Sequence, residues 1–412
     1  MGDIKKANIL YLCGCRGFRS DCSGRKILEM IRCWQSLGYK VTHFSGGDLY
    51  PIDMSYDEDI KAKQDYHKKW YRKLSFMSPL VQSYSEMKDL AHDQRMLEHL
   101  NSMVVKDKPD LIWERASRLS MAGLTVAKAK GIPFVHEWID HLIPYRFSLY
   151  HGKAVRAEER KNHDSDYVVV VSEKLKSNLT TQGVQKDKIL VVQNAVNPSQ
   201  FRVDADAGKN YRKELNLSDE VVLIGYLGSY AFYHDMKRLI LAANILRRRN
   251  VSSFKILMVG TGKQYPETVE LAEKFGLLDK MIMMKPWVKP EIVPQILSAL
   301  DVAVLPGCTN IICPIKVQEY MSLELPSVIP DYSPNRDVIN DGLTGMLFTP
   351  GNEQSLADKL EVLIKDQNLR VRMGRQARSE VIKRFSWEKT WGKALNEIMG
   401  FAGIISEKRN LF

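Results

Sequence analysis

The stretch VAVLPGCTNIICPIKVQEYMSLELPSVIP, residues 302–330, sets two short apolar runs on either side of a helical segment. The runs 302–307 and 326–330 read as buried strands, being short, β-branched and bounded by Pro and Gly. Between them, 313–326 predicts a short helix. Pro314 suits its first position, and Val317, Tyr320 and Met321 fall on one inward face. Strand, crossover helix and strand make the unit of a parallel sheet. Lys316 and Glu319 stand one turn apart on the neighbouring face. They read either as a solvated surface pair or as part of a site. Position favours the site. A helix N-terminus carries partial positive charge, so a lysine in its first turn makes sense beside a strongly negative group such as a phosphate.

Working outward, the same alternation fills the chain. In the first half strands are predicted at 7–14, 40–45, 110–115, 133–138, 167–172 and 189–194. In the second they are predicted at 221–228, 254–260, 280–288, 302–307, 326–330 and 345–350. Amphipathic stretches such as 235–249, 265–276, 290–300 and 353–364 lie between them. This pattern predicts an α/β protein of two doubly wound, Rossmann-like domains facing a central cleft. The polar stretch 197–215 is the predicted linker. Gly228, Gly260 and Gly262 end predicted strands of the second half, where backbone can approach a ligand closely.

Composition narrows the class. The chain has 412 residues, 44% hydrophobic and 26% charged, with a net charge of +11. No apolar run approaches a membrane span, and no signal peptide or myristoylation pattern opens the chain, so the expected address is the cytoplasm. Cys13, Cys15, Cys22 and Cys33 lack the paired C-x2-C spacing of structural zinc sites and read as reduced thiols. The D-x-D triplets at 57–59, 164–166 and 204–206 read as solvated turns, so no metal is expected. Diffuse positive charge suits an anionic partner, but no nucleic-acid-binding module accompanies it.

Several segments together resemble the family 4 glycosyltransferases, the retaining, nucleotide-sugar-dependent enzymes of the GT-B fold. VVQNAVNPSQF (191–201), ILMVGTGKQYPETVELAEKFGL (256–277), CPIKVQEYMSLELPSVIPD (313–331) and the run 338–387 carry the likeness in the family's order. In the first half PFVHEWIDHLIPY (133–145) resembles the family's P-x-V-x-E-x-H-D-x-x-P. The resemblance implies domains at 1–205 on the acceptor side and 206–384 on the nucleotide-sugar side, with 385–412 returning toward the first. It implies that Glu319 hydrogen-bonds the nucleotide ribose and that Lys316, with the amides of its helix, holds the diphosphate and acts in catalysis. Ser229 and Lys237 become phosphate candidates, and Ile311 and Ile312 line the donor. Trp287 borders the base or sits in the core. The family's catalytic-region histidine falls at Ile139, so His136, Asp140 and His141 are the candidates to replace it. Gly14, Arg16 and Gly17 lie where the family has a glycine-rich loop for phosphate or acceptor. Ile311 stands where many members carry a second acid.

The expected activity is metal-independent transfer of a hexosyl group from a nucleoside diphosphate sugar, with retention, in polysaccharide or glycoconjugate synthesis. No cofactor is expected beyond that donor substrate. The acceptor would be a saccharide, lipid-linked if the basic, aromatic segment 61–77 touches the anionic inner face of a membrane; the same segment also reads as a packed helix with a solvated basic face. A non-catalytic nucleotide-sugar or saccharide-binding protein, an epimerase and a phosphorylase remain alternatives.

Overall fold

The computed structural model describes residues 7–13, 22–44, 78–139 and 148–404. The chain divides into two compact units, Met1–Val192 with Trp391–Phe412, and Gln193–Thr390.

The first unit is built on a parallel sheet of β1 (Asn8–Leu12), β2 (Lys40–Phe44), β3 (Leu111–Arg115), β4 (Phe134–Glu137), β5 (Tyr167–Val170) and β6 (Ile189–Val191). Their order is β2-β1-β3-β4-β5-β6, with Ile9 in register with Val41 on one side and Leu111 on the other. The central strands β3 and β4 are buried on both faces, their charged residues Glu114, Arg115 and Glu137 included. The longest helix among the described residues, Ser78–Asp107, packs Met96, Leu100 and Met103 against Leu10, Phe44 and Ile112. The segment after Trp391 is held by an aromatic cluster. Trp34 lies 4.8 Å from Trp113, Trp113 lies 6.2 Å from Trp391, and the Trp34 indole donates to the Trp391 carbonyl at 3.0 Å. Ring pairs of this kind add about 0.5–1.5 kcal/mol each beyond burial.

The second unit repeats the plan with β7 (Val222–Leu227), β8 (Phe254–Val259), β9 (Ile282–Lys285), β10 (Val302–Val304), β11 (Ser327–Pro330) and β12 (Met346–Phe348). Its order is β12-β11-β10-β7-β8-β9, all parallel. Read from β9, this is the dinucleotide-fold order 3-2-1-4-5-6, whose direction of winding reverses between β7 and β10. Ligands of such sheets bind outside the carboxyl ends of the strands at that reversal. Side-chain caps fix the helices that follow: Asn352 accepts from the Ser355 amide at 2.9 Å and Asp366 from the Leu369 amide at 2.8 Å, worth about 1 kcal/mol each.

Each strand lies inside its predicted span and is shorter at one or both ends. The predicted linker is corrected. Within 197–215, residues Ala205–Glu214 form a helix capped by Asp204 and packed on the second unit. Arg212 is buried there, bonded to the Ala299 carbonyl at 3.0 Å and to Asp301 at 2.9 Å. The segment looks polar because one arginine does the work of an apolar side chain, pinning carbonyls that would otherwise be unpaired. The boundaries expected at 205 and 384 also move. Val196 donates to the Phe385 carbonyl at 3.0 Å and Phe201 lies in the second core, so both ends of this unit close on each other.

Candidate active site

The carboxyl ends of β7, β8 and β10 bring together three loops of the second unit. β7 is buried along its whole length and is followed at once by Gly228. β8 is followed at once by Gly260, whose φ is +144° and which has no room for a Cβ because the Gly228 carbonyl oxygen occupies that space. At Gly262 a Cβ would come within 2.7 Å of the Tyr230 amide nitrogen. The Tyr230 amide in turn donates to Thr261 at 2.9 Å. The glycines therefore let two loops interlock. The space that Gly260 and Gly262 leave on their Cα atoms is filled by chain, so both glycines serve the packing of one loop on the other.

The third loop runs from β10 to the helix Ile315–Ser322. Asn194 steadies it by donating to the Cys313 carbonyl at 2.9 Å. Pro314 is the residue before the helix, extended at φ −64° and ψ 141°, and not its first turn as predicted. No side chain caps this end. Val317, Tyr320 and Met321 are buried as expected, and Glu319 is buried with them at 7% exposure. Burial of Glu319 removes the solvated surface-pair reading. Lys316 is half-buried. Its ammonium donates to the Tyr226 hydroxyl at 3.2 Å and lies 4.5 Å over the Tyr226 ring. A Cβ at Gly228 would collide with that ammonium.

The other expected donor residues all lie in the second unit. Ser229 follows Gly228 and is exposed, and its carbonyl accepts from the Tyr226 hydroxyl at 2.7 Å. Lys237 is exposed in the first turn of the helix Met236–Arg248. Trp287, just past β9, is 40% exposed, which removes the core reading. Ile311 and Ile312 are half-buried in the loop before the site helix. Two residues carry geometry that the sequence reading missed: Tyr226 under the lysine, and His234. The His234 ring bonds the Gly307 carbonyl at 3.2 Å, and burial, reinforced by the Lys316 charge, pushes it down to about 3. Their signal was hidden, since Tyr226 reads as strand and His234 as turn.

In the first unit His136 is corrected. It lies on β4 at 1% exposure with Nδ1 2.9 Å from Asn162, and burial holds it well below the usual histidine range. It is a packed, neutral side chain with no face toward solvent. Its neighbour Glu137 gathers buried donors instead: Arg115 at 2.8 Å, Tyr11 at 3.0 Å, Trp113 at 3.1 Å and Lys26 at 3.5 Å. Asp140, His141, Gly14, Arg16, Gly17 and the segment 61–77 lie outside the described residues. Of the D-x-D triplets, Asp204 caps a helix and Asp166 pairs with Lys128 at 3.1 Å. Among the described residues no group of three or more His, Cys, Asp or Glu is arranged to hold a metal.

Two family models cover most of the chain: one described as a glycosyl transferase 4-like domain at residues 23–195, the other as glycosyl transferases group 1 at 208–380. The second spans every loop of the site just described. The chain belongs to the family 4 glycosyltransferases of the GT-B fold. An uncharacterized glycosyltransferase of Methanocaldococcus jannaschii is 22% identical over 63% of this chain and 73% of its own length. An N-acetyl-α-D-glucosaminyl L-malate synthase of Bacillus anthracis is 23% identical over 64% of this chain and 74% of its own length. Among solved structures, Anabaena HepE in complex with UDP superposes with a TM-score of 0.72 at 15% identity, covering 96% of this chain and all of that one. As a glycosyltransferase, this protein is an enzyme, which decides against the non-catalytic binding-protein alternative. No helix among the described residues is long and apolar enough to cross a membrane.

Proposed function

We propose that this glycosyltransferase moves a sugar from a nucleoside diphosphate sugar to a saccharide acceptor, free or lipid-linked, with retention of configuration and without a metal ion. The observation that carries this reading is the Lys316 ammonium beside an uncapped helix N-terminus, at the reversal point of a dinucleotide-type sheet. Breaking the sugar–phosphate bond builds negative charge on the leaving diphosphate. A fixed ammonium and fixed amides aimed at that charge stabilise the transition state more than the ground state. Glu319, one turn on, would accept hydrogen bonds from the ribose hydroxyls, and its burial makes those bonds strong. Trp287, Ser229 and Lys237 would edge the base and phosphates. HepE is solved with UDP and with UDP-glucose, which supports uridine nucleotides as the first donors to try.

The test is release of nucleoside diphosphate from a panel of UDP-, GDP- and ADP-sugars, by the native chain, Glu319→Ala and Lys316→Ala. Glu319→Ala is expected to weaken binding of the preferred donor about 10- to 100-fold, the value of hydrogen bonds to a charged group. Lys316→Ala is expected to lower kcat about 100- to 1,000-fold, as loss of a transition-state donor does. Turnover by both variants at the native rate would remove this site from the reaction.

A further inference from the structure

We propose that Tyr226 is the positioning residue that aims Lys316 at the donor phosphates. The proposal rests on the reading above, in which Lys316 meets the diphosphate. Tyr226 is fully buried on β7, ninety residues before the lysine in sequence. Its hydroxyl has one proton, and that proton is committed to the Ser229 carbonyl at 2.7 Å. The oxygen lone pairs are thereby left to accept from the Lys316 ammonium at 3.2 Å. The ring lies under the same ammonium at 4.5 Å, adding a cation–π contact. Gly228 completes the cradle, since any side chain there would occupy the place of the ammonium.

The ring itself is held. Tyr230 meets it edge-on at 6.2 Å and His234 at 5.9 Å. His234 stays uncharged at neutral pH, so no second cation pushes on the lysine from that side. A lysine stem is flexible, and an unrestrained one loses much of its freedom on meeting a phosphate. Tyr226 is a neutral partner, so it fixes the ammonium without cancelling the charge that the phosphate needs.

The experiment is a binding cycle on the full chain with UDP, GDP and ADP and with the matching nucleosides. It compares native protein, Tyr226→Phe, Lys316→Ala and the double variant, with Glu319→Ala alongside. Tyr226→Phe keeps the ring and removes the oxygen. It is expected to weaken the preferred diphosphate about tenfold, the scale of a hydrogen bond to a charged group, and to leave nucleoside affinity in place. In the Lys316→Ala background it is expected to cost nothing further. The background also separates a folding defect from positioning, because lost stability would appear there too. Additive losses, or equal losses of nucleoside and diphosphate, would overturn the role of Tyr226. A silent Tyr226→Phe beside damaging Glu319→Ala and Lys316→Ala would do so as well, while leaving the proposed function standing. Full diphosphate affinity in both Glu319→Ala and Lys316→Ala would overturn the functional reading itself, and Tyr226 with it.

Discussion

Gly260 shows how much one missing methyl group organises. Its φ of +144° lies where side-chain-bearing residues are strained, and the Gly228 carbonyl fills the space a Cβ would need. Gly260→Ala is expected to destabilise the second unit by about 2–4 kcal/mol, from backbone strain and overpacking together. Gly276 is the control. Its φ is +61° but nothing lies within 4 Å of its Cβ position, so Gly276→Ala should cost only about 1 kcal/mol. Urea unfolding of the two variants measures the difference, and equal losses would refute the loop contact. Neither the interlock nor the Tyr226–Lys316 pair was legible in sequence. Each joins positions far apart in the chain, and local periodicity carries no information about such contacts. What was legible was the charge anomaly. Lys316 and Glu319 could be singled out because a lysine in a helix's first turn contradicts the helix dipole wherever no anion is present.

At the scale of the element, the first helix of the first unit, Cys22–Ser36, carries a buried cation. Lys26 lies 3.5 Å from Glu137 and 4.1 Å over the Trp391 ring, with Arg115 and Tyr11 sharing the same carboxylate. Burial pushes its ammonium down to about 7, against an opposing pull from Glu137. Between about pH 7 and its ordinary 10.5, the unfolded chain holds a proton there that the folded chain lacks. Stability from this group therefore rises with pH across that window, by at most about 1.4 kcal/mol per pH unit for one proton. Lys26→Met should remove that slope and leave the Arg115–Glu137 pair in place. Urea titrations of both proteins at pH 7, 8 and 9 check it: the native chain should gain on the variant as pH rises. A constant difference would show that Lys26 stays charged. The helix Ala205–Glu214 makes a complementary point about legibility. Its polar composition predicts a linker, and only the packing of Arg212 on Ala299 and Asp301 makes it part of a core.

For the whole molecule, buried histidines in both units set the response to acid. Burial pushes His43 down to about 4 and His234 down to about 3, and holds His136 well below the ordinary range. Each is neutral when folded and takes a proton at its usual 6.5 only when unfolded. Their contribution is therefore fully present above pH 6.5 and is lost as pH falls toward 4. The expected result is a urea midpoint that drops steeply between pH 6.5 and 4, in the tryptophan signal of Trp34, Trp113 and Trp138 as well as in far-ultraviolet circular dichroism. A flat midpoint across that range would mean the histidines are accessible.

The sequence by itself determined the class of fold, the number of strands and their places along the chain, and the helix that carries Lys316 and Glu319. Those features follow from local rules, since short length, β-branched residues and flanking Gly and Pro together favour a buried strand over a helix. Tertiary structure alone decided that Glu319 is buried, that His136 is a packed side chain, that the strand-end glycines hold loops together, and that Tyr226 lies beneath the lysine. The physical reason is the same in each case. Burial and side-chain pairing depend on which distant segments the sheet order brings side by side, and β7 meets β10 only because the winding reverses between them.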